Sequence, residues 1–98
     1  MQAKKMLRLC RVAKNRLEDL ESVLPYVPAE LEADLFVYNS HIALDELRHI
    51  AKYETINSVT TIQVTHIHQI LRKIDYLLSV IPDAAKRELD NDEQRYDD

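Results

Sequence analysis

The sequence predicts an all-α protein: an antiparallel three-helix bundle of up-down-up order, followed by a short fourth helix and a disordered acidic tail. Three observations predict it. The 98 residues include no glycine, the default residue for positive-φ backbone, so folds built on tight hairpins are hard to make. Three prolines cut the chain into segments of helix length. Within each segment the apolar residues recur at helical spacing.

The first segment puts Met6, Leu9, Cys10, Ala13, Leu17, Leu20 and Leu24 on one stripe. It is expected to stop at about Leu24, because Pro25 cannot continue a helix interior. Pro28 is expected to open the second helix, where its missing N–H costs nothing. Glu30 and Glu32 would then lie in a first turn that suits negative charge. The second stripe is read as Leu31, Leu35, Ile42, Ala43, Leu47 and Ile50.

A break is expected at Asn57-Ser58, since either residue can cap a new helix. The β-branched run Val59, Thr60 and Thr61 is compatible with a strand. Helix is preferred because Ile62, Ile67, Ile70, Ile74, Leu77 and Ile81 then fall on one side at ~100° per residue. Pro82 ends this third segment and precedes a short helix over residues 83–89. Each long helix should run roughly 22 to 28 residues, about 33 to 42 Å, and short connections force antiparallel neighbours. Residues 90–98 are polar and acidic and are read as a flexible tail. The domain division is thus a bundle over 1–89 and a tail over 90–98. Phe36, Val37, Leu44, Leu71 and Leu78 fall at or beyond the stripe edges, which favours a homodimer.

Composition excludes several function classes. Without glycine there is no phosphate-cradling loop, dinucleotide fingerprint or nucleophile elbow. The single cysteine, Cys10, rules out an internal disulfide and a cysteine-based zinc site, and it is expected to be a small buried hydrophobe. No apolar run approaches the ~20 residues that span a bilayer. The N-terminal lysines are not followed by an uninterrupted apolar stretch, so no secretory signal is read and a cytoplasmic location is expected. No cofactor is implied.

Charge is segregated along the chain, whose net charge is −4. Residues 1–17 hold Lys4, Lys5, Arg8, Arg11, Lys14 and Arg16 and no acid; residues 18–54 hold nine acids against Arg48 and Lys52. Lys4, Arg8 and Arg11 share one polar face of the first helix, with Lys14 beside them. These four are the candidate partner-binding residues, suited to an acidic protein, a phosphate backbone or an anionic membrane surface; the apolar stripe of the helix is better explained by the bundle core than by a membrane. The patch lacks interleaved aromatics, which weakens the nucleic-acid case.

One constellation could carry chemistry. Glu46 and His49 stand three apart, and the expected phase puts Glu46 near the middle of the apolar stripe, with Asn39 and Tyr53 on the same side. Gln63 and His66 interrupt the isoleucine stripe of the third helix, and His49 and His66 would lie at similar heights. Glu46-Leu47-Arg48-His49 resembles half of the ferritin-like di-iron motif. The resemblance covers four residues and stops there: the family's carboxylate-bridged site needs further glutamates and a second Glu-x-x-His, and the third helix offers no glutamate. A mononuclear metal site of Glu46, His49 and His66 would have three ligands, enough for an open metal position. A buried polar network is the expected role of these groups instead. His41 falls on the polar side, and His66 and His68 point to different sides.

These readings point to a non-enzymatic helical protein-interaction module (a regulator, adaptor or inhibitor), homodimeric and without membrane contact. The alternatives are a nucleic-acid-binding regulator using Lys4, Arg8 and Arg11, and a metal-binding bundle.

Overall fold

A computed structural model describes residues 3–53 and 61–96, with side chains over 4–52 and 63–90. The elements are α1 (Ala3–Ser22), two 3₁₀ turns (Leu24–Tyr26 and Ala29–Leu31), α2 (Ala33–Tyr53), α3 (Thr61–Ser79) and α4 (Asp83–Tyr96). Among the described residues there is no strand, and the chain is an all-helical bundle. The expected break at Asn57-Ser58 lies outside the described residues.

Lacking glycine, the chain ends its helices in another way. The Ser22 hydroxyl donates to the Asp19 carbonyl at 2.6 Å, and the Ser79 hydroxyl donates to the Tyr76 carbonyl at 2.5 Å. Each serine thus satisfies one of the carbonyls that the last turn leaves without an intrahelical donor. After α3, the Pro82 carbonyl accepts from the Ala85 and Lys86 N–H groups at 3.0 and 3.2 Å and starts α4. Asp83 then lies in the first turn, where its charge suits the dipole.

The three long helices, described over 20, 21 and 19 residues, fall short of the expected 22 to 28, and two boundaries differ markedly from expectation. Pro28 does not open α2. Its ψ of 132° is extended, and its carbonyl instead accepts from Leu31 N–H at 3.1 Å to form a single 3₁₀ turn. The chain then turns at Glu32, which takes the left-handed conformation with φ 51° and ψ 43°. The Glu32 carbonyl accepts from Phe36 N–H at 3.1 Å and begins α2. The second difference is α4, which was expected over residues 83–89 but reaches Tyr96. Past Pro82 the segment has no helix breaker, and its Lys, Arg, Glu and Gln residues are good helix formers.

Three seams build the core. In α1 the buried residues are Met6, Cys10, Ala13, Leu17 and Leu20; in α3 they run Ile67, Ile70, Ile74 and Leu77, with Val64 before them and Ile81 just beyond. Both rows follow the sequence reading, except that Leu9 and Leu24 are only half-buried, Val64 is not on the expected stripe, and the side chain of Ile62 lies outside those described. In α2 the buried row is Ala33, Val37, Ser40, Leu44, Leu47 and Ala51. All three rows step by alternating threes and fours, the spacing of a helix seam that keeps facing its neighbour. No buried side-chain nitrogen or oxygen among the described residues lacks a partner.

This corrects the expected phase of α2. Leu35 and Ile42, read as stripe centre, are 52% and 44% exposed; Val37 and Leu44, read as edge residues, are in the core. Both rows are helical in period, so periodicity alone does not choose between them. The buried row alternates the small residues Ala33, Ser40 and Ala51 with Val37, Leu44 and Leu47, and it is the row that packs on α1. Phe36, Leu71 and Leu78 are half-buried against the core rather than outside it.

Helix α1 is the hub, packing most extensively on α2, next on α3, while α2 and α3 meet over less. Lys14 pairs with Asp45 and Glu21 with His41, so later α1 residues meet earlier α2 residues. Arg16 reaches Asp75 of α3 at 2.9 Å, and Lys73 of α3 lies 5.1 Å from the Phe36 ring of α2. Helix α4 tucks Ala85 into the core and rests Leu89 against it, while the Tyr26 hydroxyl donates to Glu88 Oε1 at 3.3 Å. With α4 at the periphery the radius of gyration is 14.6 Å, above the ~12.6 Å of a compact chain this long.

Candidate interaction surfaces

The phase of α2 decides the fate of the Glu46-x-x-His49 constellation. Turned away from α1, Glu46 and His49 are exposed, as is Asn39 on the same helix. His66 is exposed on α3, and so is His68. The expected burial of Glu46 is therefore overturned. Among the described residues no group of three His, Cys, Asp or Glu side chains could hold a metal ion. Tyr53 lies outside the described side chains.

The basic residues of α1 are partly dispersed and partly joined by others. Lys4, Arg8 and Arg11 are exposed on the side of α1 opposite its buried seam. Lys14 is half-buried and hydrogen-bonded to Asp45, so it is partly committed within the chain. That bond holds the Asp45 carboxyl below its ordinary value. Arg16 is committed to Asp75 and lies 3.6 Å from Asp19.

The fold adds two cations that sequence reading did not attach to this patch. The order of the α1–α2 pairs brings the last turns of α2 beside the first turns of α1. Arg48 and Lys52 thus join Arg11 and Lys14 around one groove of about 490 Å³, with Leu7 on its wall and Glu18 as its acid. Arg11 and Arg48 have no ion pair among the described residues. The signal was present in the sequence: two helices joined by a short connection place the start of one against the end of the other.

A second surface is apolar. Leu35, Tyr38 and Ile42 are 52%, 65% and 44% exposed. At ~100° per residue they point within about 40° of the direction opposite the buried seam of α2. Glu46 and His49 continue the row, and Ile50 flanks them half-buried. Asp45, Glu46, His49 and Ile50 line a shallow hollow there of about 460 Å³. Exposed large apolars also occur singly at Val12, Tyr26, Tyr76 and Val80, which is normal for a protein surface; three on consecutive turns of one helix face form a patch.

Cys10 belongs to neither surface. It is fully buried in the α1 seam, as expected, and burial pushes its thiol up from the ordinary value.

Comparison with protein-family models, with curated proteins and with solved structures finds no match. No described helix is long and apolar enough to cross a membrane.

Proposed function

We propose that this chain is a small helical protein-interaction module, a regulator, adaptor or inhibitor whose bundle runs up-down-up and whose partner docks on the outer face of α2. The observation that carries the reading is that α2 is apolar on two opposite sides. Its inner row is covered by α1 and α3. Its outer row, Leu35, Tyr38 and Ile42, stands in solvent, and contiguous exposed apolar surface marks contact sites on small proteins. The up-down-up arrangement is supported by the order of the ion pairs between α1 and α2. The role is one of binding rather than catalysis.

A photo-crosslinking amino acid at position 38, compared with one at exposed position 72 on α3, tests the reading in cells that make the protein. A discrete adduct from position 38 that position 72 does not give supports it. No adduct from position 38, or the same adducts from both positions, removes it.

A second reading, a nucleic-acid-binding regulator, is favoured by the gathering of Arg48 and Lys52 with Arg11 and Lys14. Such a patch would bind a phosphate backbone with strong salt dependence. Titration of a duplex at low and moderate salt tests it. Reversing Arg11 and Arg48 to glutamate should abolish the binding; absence of binding at low salt, or binding unmoved by the reversal, excludes it.

A further inference from the structure

The outer row of α2 is symmetric about one residue. Leu35 and His49 lie seven positions either side of Ile42, and Tyr38 and Glu46 lie four either side. All five are exposed, and all lie on the one face opposite the seam. Spacing of this kind lets two copies meet antiparallel with every exposed member of the row facing another, because a two-fold contact joins one patch to the same patch.

We propose that a second copy of this chain covers the row, α2 against α2 in antiparallel register, with the two-fold axis at Ile42. This rests on the reading of the α2 face given above and names its occupant. The register sets Ile42 on Ile42 of the second copy. It sets Leu35 against the His49 ring, and the Tyr38 hydroxyl within reach of the Glu46 carboxylate, to which it can donate. The same two contacts recur on the other side of the axis.

Charge selects this direction. The end of the molecule near the α2 start carries the exposed acids Glu30, Glu32 and Asp34; at the far end Asp45 and Glu46 are outnumbered by Arg48 and Lys52 together with Lys4, Arg8 and Arg11 of α1. Antiparallel pairing sets each acidic end beside the basic end of the other copy. Parallel pairing would set like charges together, which opposes association. Size sets the strength. A helix of 21 residues is ~31 Å long, and one helix pair of that length buries less than the ~1,600 Å² of a standard stable interface. A contact of that size is small for a permanent dimer, so this one is formed and lost with concentration.

The test uses the full chain. In a helix pair with axes ~8–10 Å apart, facing Cα atoms on a two-fold axis come within disulfide reach. Ile42→Cys, made with Cys10→Ala so that no other thiol competes, should oxidise at least tenfold faster to a disulfide-linked dimer than Arg72→Cys in the same background. Light scattering of the wild type should move from 11.5 kDa toward twice that mass as concentration rises. Ile42→Glu should stay at the single mass with unchanged helical circular dichroism. A wild type that stays single at every concentration overturns the proposal, as does a dimer that Ile42→Glu leaves intact. Equal oxidation at positions 42 and 72 also overturns it. If the wild type is single while the position-38 crosslinker captures a chain of another mass, self-pairing falls and the interaction-module reading stands. If position 38 captures nothing, both fall.

Discussion

Leu44 and Ile42 stand two residues apart on α2 and on opposite sides of it: Leu44 is fully buried and Ile42 is 44% exposed. That pair expresses the phase of the helix, and with it the division between core and contact surface. Leu44→Ala should therefore cost about 2–5 kcal/mol, the range for emptying a packed leucine site. In dilute solution Ile42→Ala should cost under about 0.5 kcal/mol. Urea unfolding of the two variants checks this, and equal losses would contradict the assigned phase.

Glu32 holds a left-handed backbone at φ 51° without being glycine. A side chain with a Cβ costs roughly 1–2 kcal/mol there. Glu32→Gly should stabilise the protein by about 1 kcal/mol, less the added freedom of the unfolded chain, raising the thermal midpoint by several degrees. Glu32→Val should lower it, because a β-branched residue fits that region poorly. A midpoint that falls on introducing glycine would mean the Glu32 side chain contributes more than its backbone costs.

The Asp45 carboxyl titrates below its ordinary value of 3.8, chiefly because Lys14 hydrogen-bonds to it. A depressed carboxylate contributes stability that is present above the ordinary value and lost as pH falls through the lowered one. The Asp45 side chain is 60% exposed, so solvent and salt reduce that contribution to a small one. Carbon-detected NMR titration should find the Asp45 midpoint low in the wild type and back near the ordinary value in Lys14→Met. An unchanged midpoint would contradict the pairing.

Cys10 is shifted the other way, mainly by burial. Its neutral form is favoured in the folded chain, so the unfolded chain loses its proton first. Stability should decline as pH rises past the ordinary thiol value of 9.0, and Cys10→Ala should flatten that decline. Disulfide-exchange reagents should label Cys10 only at the rate of unfolding; fast labelling of native protein would contradict its burial.

Much of the fold was legible in the residues. Pro25 and Pro82 placed the ends of α1 and α3 to within three residues, and the rows of those helices could largely be read directly, because each has one apolar side. Helix α2 could not be phased this way. It carries two apolar rows, and Leu35 and Ile42 draw attention from the row that packs, half of which (Ala33, Ser40 and Ala51) is small. Choosing between them needs the closeness of α1, a tertiary quantity. The same error placed Glu46 inside and suggested a polar network with His49 and His66. For the basic surface, Lys4, Arg8 and Arg11 could be read from spacing on one helix. Arg48 and Lys52 join only when two helices are laid side by side, and Lys14 is drawn toward Asp45 for the same reason. Glu32 gave no local sign of its turn, since glutamate seldom takes positive φ.

The most direct test of the account follows the urea midpoint of the wild type and of Ile42→Glu at low and high protein concentration. A contact made only by folded chains raises apparent stability with concentration. The account predicts a wild-type midpoint that rises with concentration, and an Ile42→Glu midpoint that is the same at both and equal to the dilute wild type. A wild-type midpoint independent of concentration, or an Ile42→Glu chain that unfolds like a core variant, would contradict the claim that the outer face of α2 is a contact surface.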